Sequence, residues 1–115
     1  MHELAICQAL VEQLDGVARQ NGASGMSAIW VSIGPLSGVE AELLRNAWPF
    51  ACAGTVAEHA VLHLQPSSVR VVCRQCGAES EAQANRLVCG ACGNWQTDLV
   101  SGDELMLTRV ELVHD

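Results

Sequence analysis

The sequence has no lysine and no tyrosine, and only one phenylalanine. All six basic residues are arginines, at positions 19, 45, 70, 74, 86 and 109. Without lysine there is no phosphate-loop lysine and no Schiff-base nucleophile. Nucleotide hydrolysis by this chain alone and imine chemistry are therefore excluded. The few aromatics argue against a base-stacking surface for single-stranded nucleic acid. No window approaches the ~20 apolar residues of a membrane span. Met1-His2-Glu3-Leu4-Ala5-Ile6 has neither a basic region nor a sustained apolar run, so no signal peptide is expected. The expected location is the cytoplasm, a reducing compartment where clustered cysteines suggest metal or catalysis before disulfides.

What is present is a folded composition with one excess. Half of the 115 residues are apolar and 17% are charged, so the chain can bury a core. Six cysteines stand out. The net charge of −7 opposes general affinity for a phosphate backbone, and it is uneven. Residues 1–69 carry −4, residues 70–93 carry +1 and residues 94–115 carry −4.

Leu4, Cys7, Val11, Leu14 and Ala18 recur at helical spacing over 3–20, with Asn21-Gly22 as a stop. Ile29, Val31 and Ile33 alternate in a strand over 26–33. Gly34-Pro35-Leu36-Ser37-Gly38 reads as a loop. Ser37-Gly38-Val39-Glu40 fits a capping box opening a second helix, which Pro49 is expected to kink or end. Strands are predicted over 60–65, 69–72 and 105–113. The expected fold class is α+β, with two helices on a mixed three-stranded sheet and an inserted ribbon-like module. Residues 1–68 plus 94–115 form the expected main domain and residues 69–93 the insert.

Cys73-Arg74-Gln75-Cys76-Gly77 and Cys89-Gly90-Ala91-Cys92-Gly93 are two C-x-x-C-G knuckles. Thiolates two residues apart can grip one ion from a tight turn, and the following glycine tolerates the turn geometry. Two such turns supply four soft ligands, Cys73, Cys76, Cys89 and Cys92, which favour zinc or iron. A closed four-ligand zinc site is structural, not catalytic. A thioredoxin-like redox centre predicts one knuckle, and disulfides need an export signal. Cys7 and Cys52 sit in apolar helical context and read as core residues. Four thiolates and one zinc(II) sum to −2, which turns the +1 segment net negative.

Of the four histidines, His59, His63 and His114 read as ordinary side chains. His2 differs by position. Its imidazole, its backbone nitrogen and the terminal amine of Met1 can close fused chelate rings around one ion. Planar nitrogen donors suit Ni(II) or Cu(II). The bulky second residue disfavours removal of Met1.

Taken in order, Met1-His2-Glu3 at a helix start, Gly34-Pro35-Leu36-Ser37-Gly38-Val39-Glu40, the paired knuckles, and Gly102-Asp103-Glu104-Leu105 before a last strand resemble the HypA/HybF family of hydrogenase nickel-incorporation proteins. The resemblance covers essentially the whole chain. It implies a nickel metallochaperone for [NiFe]-hydrogenase maturation, which is not an enzyme. It implies nickel at Met1, His2 and Glu3, with Glu40 as a further nickel-site residue, and structural zinc at Cys73, Cys76, Cys89 and Cys92. It also implies as partners a nickel-handling GTPase, HypB, and the hydrogenase large subunit, and a homodimer as in some members. Membrane and nucleic acid are not among the expected partners. Two departures stand out. Gly90 occupies a knuckle position where the family often has proline, and residues 73–98 lack the histidine that some members carry there.

Two readings from other classes compete. A rubredoxin-like iron electron carrier would be red when oxidised, whereas a zinc protein is colourless. A zinc-ribbon adaptor would use Arg70, Arg74 and Arg86, but the acidic flanks oppose it. An enzyme reading is weakest: Glu40 and Glu42 could pair, yet no nucleophile–base constellation emerges.

Overall fold

The structure, a computed structural model, describes residues 3–115; Met1 and His2 lie outside the described residues. Eight elements follow in the order α1 (Glu3–Asn21), β1 (Gly25–Ile33), α2 (Ala41–Cys52), β2 (Val61–Pro66), β3 (Arg70–Cys73), β4 (Glu79–Glu81), β5 (Thr97–Ser101) and β6 (Leu105–Val113). They form two three-stranded sheets, β2-β1-β6 and β4-β3-β5. The chain divides into two compact units. Among the described residues, one comprises 3–31, 39–65 and 106–115, the other 32–38 and 66–105. No helix of the described residues is long and apolar enough to cross a membrane.

The first unit follows directly from its apolar periodicity. α1 buries Cys7, Leu10, Val11, Leu14 and Ala18, the stripe read from the sequence. That stripe packs on α2, which buries Leu44, Trp48 and Cys52. Leu14, Ile29 and Leu44 are fully buried, each worth about 1.5–3 kcal/mol relative to exposure. Gly22, with φ of +63°, ends α1 in the left-handed conformation that lets a helix close its last carbonyls. Cys7 and Cys52 are buried free thiols, and the Cys7 thiol donates to the Leu44 carbonyl at 3.5 Å. Burial pushes the Cys7 thiol up to about 11 and raises Cys52 as well. Both stay protonated at neutral pH and behave as small hydrophobes, as expected.

Sheet β2-β1-β6 is mixed. Ser24 N donates to Val113 O and Gly34 N to Glu104 O, so β1 and β6 run antiparallel. Trp30 stacks on His63 and Ser67 N donates to Ile33 O, so β1 and β2 run the same way. Ten steps along β1, from Ser24 to Gly34, are met by nine from Val113 to Glu104, so β1 carries one extra residue. The burial pattern records the same slip: Met26 and Ala28 face inward, then Ile29, Val31 and Ile33.

Two expectations are corrected. First, α2 begins at Ala41 with Glu40 itself as the N-cap residue, and no side chain caps it. The Ser37-to-Glu40 capping box does not form, because the 34–38 segment is drawn into backbone hydrogen bonds with residues 102–104. Second, of the kink or end expected at Pro49, the end does not occur, and α2 continues to Cys52. Proline removes one hydrogen bond, and the buried Trp48 and Cys52 on either side hold the last turn in place. The cysteine-bearing unit comprises residues 32–38 and 66–105. It takes in residues 94–105 because β5 pairs antiparallel with β3, with Val72 opposite Asp98 and Cys73 opposite Thr97.

In this second unit the segments 32–38, 66–69 and 101–105 are laced together. Gly34 N donates to Glu104 O at 2.8 Å, Leu36 N to Gly102 O at 2.7 Å, and Ser101 Oγ to Ser68 O at 2.9 Å. The Glu104 carboxylate accepts from Gly102 N at 2.8 Å. Gly34 and Gly102 permit this approach. A Cβ on Gly34 would fall on the Gly102 carbonyl, and Gly102 has φ of +115° with Val69 against it. Gly34→Ala is expected to lower stability by about 2 kcal/mol or more, since neither backbone can yield without breaking those bonds. Thermal unfolding of the metal-loaded protein checks this, with Gly54→Ala as control. Gly54 has φ of +74° but open space around it, so only a modest backbone cost is expected there.

Candidate metal centre

β3 delivers Cys73 at its last residue, and the chain then turns sharply. Gly77 N returns to Cys73 O at 3.0 Å, and Gly77 has φ of +77°. The second knuckle repeats the first. Gly93 N returns to Cys89 O at 2.9 Å, again with φ of +77°. The glycine after each pair is thus required by the turn. In each knuckle the first sulfur accepts two backbone N–H groups. Cys73 Sγ accepts from Gln75 N at 3.4 Å and Cys76 N at 3.3 Å, and Cys89 Sγ from Ala91 N at 3.3 Å and Cys92 N at 3.4 Å.

Both knuckles are braced by neighbours. Arg74 N donates to Gln96 O at 2.9 Å, and its guanidinium pairs with Asp98 at 2.6 Å. Cys89 N donates to Asn94 O, and the Asn94 amide bonds to Gln75 of the opposite knuckle. Gly90 N donates to Ser80 Oγ at 2.9 Å, fixing the second knuckle to β4. A proline at position 90 has no N–H for that bond, so glycine there carries a bracing role. Ser80, Asn94 and Asp98 were not singled out from sequence. Each is a lone polar residue in a polar stretch, and only the folded turns show what it holds.

The four sulfurs lie within 4.8 Å of one another, with Cys73–Cys92 and Cys76–Cys89 both at 3.6 Å. A disulfide needs about 2.05 Å, and all four cysteines are free. Zinc–sulfur bonds of about 2.3 Å at tetrahedral angles put sulfurs roughly 3.8 Å apart, so the cluster fits one tetrahedral ion. Cys73 and Cys89 are buried, while Cys76 and Cys92 are exposed.

The electrostatics of the cluster are lopsided. The N–H groups of Cys92 and Ala91 lower the Cys89 thiol to about 6, and that of Cys76 does most to lower Cys73. Cys92 also receives an N–H, from Asn94, yet the neighbouring sulfurs and desolvation push it up to about 12. Cys76 is raised by Cys89 and Cys73 against the pull of the Ala78 N–H. The backbone thus stabilises two thiolates, and a cation is needed to hold four.

At neutral pH the metal-free cluster therefore keeps protons on Cys76 and Cys92. Loading is expected to release at least two protons, those of Cys76 and Cys92, because a ligating thiol must be deprotonated. Affinity should rise with pH, and metal should leave on acidification as the thiolates are protonated, Cys89 last. Calorimetric titration in buffers of different ionisation enthalpy checks the proton count. Cys89→Ser is expected to abolish tetrahedral four-sulfur binding, read from the loss of the cobalt(II) thiolate absorption.

Of the other expected site residues, the structure describes Glu3 and Glu40. Met1 and His2 lie outside the described residues. Glu3 stands in the first turn of α1, and Glu40 is an exposed residue at the N-cap of α2. Among the described residues the four cysteines are the one metal-ligating group. His63 stacks on Trp30 with ring centroids 4.7 Å apart, and His114 bonds the Asn21 carbonyl at 3.1 Å. Those two histidines have ordinary partners.

Comparison with known proteins places these observations in context. The model of a family described as "Hydrogenase/urease nickel incorporation, metallochaperone, hypA" matches residues 1–112. The chain is 46% identical over 113 residues to the hydrogenase maturation factor HypA of Nitrosospira multiformis, covering 98% of each chain. It is 39% identical over 115 residues to that of Aquifex aeolicus, covering 100% of each. In fold it is similar to the solution structure of the nickel metallochaperone HypA from Helicobacter pylori, with a TM-score of 0.75, 24% identity and full coverage of both chains.

Proposed function

The chain belongs to the HypA family of nickel-incorporation metallochaperones acting in hydrogenase maturation, and from that premise we propose that it takes up Ni(II) at its N-terminus and hands it to the maturing enzyme. The observation that carries this is the extent of the family match, which begins at residue 1 and so includes Met-His-Glu. In this reading the Met1 amine, the His2 backbone nitrogen and the His2 imidazole supply planar nitrogen donors. Glu3 and Glu40 supply carboxylate oxygen at the site. Glu40 also has a local role, since an acidic residue at a helix N-terminus is favoured by the helix dipole.

Nickel is cargo and not a resident cofactor. A site on the end of a chain can surrender its ligands one at a time to a recipient. The second metal is resident: Cys73, Cys76, Cys89 and Cys92 would hold zinc, whose contribution is structural. The spacing of the sulfurs suits iron equally, and zinc is favoured because nothing else in the chain suggests electron transfer. A colourless purified protein supports zinc; a red one supports the iron carrier.

The chain acts as a carrier and not as an enzyme. Having no lysine, it leaves the phosphate-binding lysine to a nickel-handling GTPase, HypB, and it delivers to the hydrogenase large subunit in the cytoplasm. Native mass spectrometry with an element assay tests the two-site reading: one zinc as isolated, plus one nickel on addition. His2→Ala is expected to weaken nickel binding by at least about tenfold, or roughly 1.4 kcal/mol, and to leave the zinc in place. Unchanged nickel binding in His2→Ala would refute the N-terminal site.

A further inference from the structure

The four-cysteine cluster carries a second chemistry that metal binding does not use. Its sulfurs make two contacts of 3.6 Å, Cys73–Cys92 and Cys76–Cys89, and both run from one knuckle to the other. Each pair joins a buried sulfur to an exposed one. Cys73 and Cys89 are buried, and each accepts two backbone N–H groups. Cys92 and Cys76 are exposed, where an oxidant from solvent can reach them. With an ion bound, all four are thiolates, the oxidisable form of cysteine. Cys7 and Cys52 differ in kind. They lie in the apolar core as protonated thiols, without the access or thiolate character that oxidation requires.

Bonds between the knuckles are favoured over bonds within one. A disulfide needs about 2.05 Å, so each cross pair closes by about 1.5 Å. Braces other than the ion keep the knuckles face to face. The Asn94 amide joins Gln75 of the opposite knuckle, Gly90 N donates to Ser80 Oγ on β4, and Arg74 N donates to Gln96 O. Chain entropy points the same way. The cross pairs are 19 and 13 residues apart in sequence, whereas the cysteines of one knuckle are 3 apart. A bond that closes a longer loop restricts the unfolded chain more and stabilises the fold more. Two cross bonds also take over the ion's role as link between the knuckles. Two bonds within knuckles would leave them unlinked.

We propose that the cluster is a thiol-oxidation site for hydroperoxides, at which Cys73–Cys92 and Cys76–Cys89 become disulfides and the ion is released. In each pair the exposed sulfur attacks a peroxide oxygen. The O–O bond breaks, giving a sulfenic acid and, from hydrogen peroxide, hydroxide. The buried sulfur then attacks the sulfenic sulfur, the S–S bond forms, and a second hydroxide leaves. Both hydroxides are protonated to water. Each disulfide withdraws two electrons from its sulfurs and reduces one peroxide. The whole site therefore consumes two peroxides and four protons, and it yields two disulfides, four waters and one divalent ion. The ion leaves because its ligands are no longer thiolates. A thiol reductant reverses the step by exchange. The inference rests on the reading of the cluster as a resident zinc site.

Zinc content of the purified full chain, measured first, tests that reading by itself. Hydrogen peroxide is then added in the presence of a chromophoric zinc chelator, and one zinc is expected to appear for every two peroxides consumed. Trypsin cuts after Arg70, Arg74, Arg86 and Arg109, which puts Cys73 on one peptide, Cys76 on a second, and Cys89 with Cys92 on a third. With free thiols blocked and no reductant, residues 71–74 and 75–86 are both expected to be joined to residues 87–109. Fragmentation should assign Cys73 to Cys92 and Cys76 to Cys89. The peptides carrying Cys7 and Cys52 should stay reduced, and added thiol reductant should restore zinc binding. A bond between 71–74 and 75–86 overturns the proposal, as does the opposite cross pairing or a bond between two copies. So does zinc loss with sulfinic acids in place of disulfides, or zinc that stays bound in millimolar peroxide. Zinc as isolated with any of these results refutes this inference alone. A chain isolated without zinc refutes the resident-site reading.

Discussion

In the proposed reading, the second unit depends on four sulfur atoms sharing one ion. It has roughly 50 residues, a size at which an apolar core alone seldom suffices. Its buried hydrophobic side chains are Ile33, Val69, Val71, Cys73 and Cys89, and two of these five belong to the four-sulfur cluster. Its strands are short, four residues in β3 and three in β4. The exposed ion pairs Arg70–Glu79 and Arg74–Asp98 add little at the surface. Metal–thiolate bonding is the remaining large term. The knuckles prepare for it by aiming two N–H groups at each of Cys73 and Cys89, while Cys76 and Cys92 hold their protons until a cation offsets the crowding.

A closed site of this kind does not suit cargo. Four thiolates around one ion leave no open position for a recipient ligand, and the bracing by Ser80, Asn94 and Asp98 resists opening. Transfer needs the opposite: few ligands, on a chain end, with replaceable donors. The proposed division of labour follows from that chemistry. The resident ion is tied into a folded unit by four ligands and several backbone bonds. The travelling ion is assigned to a helix start, where Glu3 is the first described residue.

What could be read from sequence depended on whether the signal was local. The α1 stripe, the alternation of β1 and β6, and the paired knuckles are each complete within a short window, and the structure contains them nearly residue for residue. The matching of the whole chain to one family was legible because those windows occur in one order. β4, Glu-Ser-Glu, and β5, Thr-Asp-Leu-Val-Ser, were not legible, because neither carries a buried face. They are strands only because β3 lies between them, an arrangement fixed by ligation and turns rather than by propensity. The false capping box has the same origin. Ser37 and Glu40 have the right spacing, but the preceding segment is committed to Gly102 and Glu104, sixty-odd residues on. Of the proposed nickel residues, the structure speaks only to Glu3 and Glu40, and locates each at a helix start.

The same distinction between local and distant signals explains why the β6 edge escaped the sequence reading. Alternation identifies a strand but not its place in a sheet. Leu105 to Val113 would read alike at the centre or at the rim. Only the order β2-β1-β6 turns its nine residues into an open edge. Once it is an edge, the absence of lysine noted at the outset acquires a second meaning. A chain without lysine lacks the residue most used to guard an exposed strand.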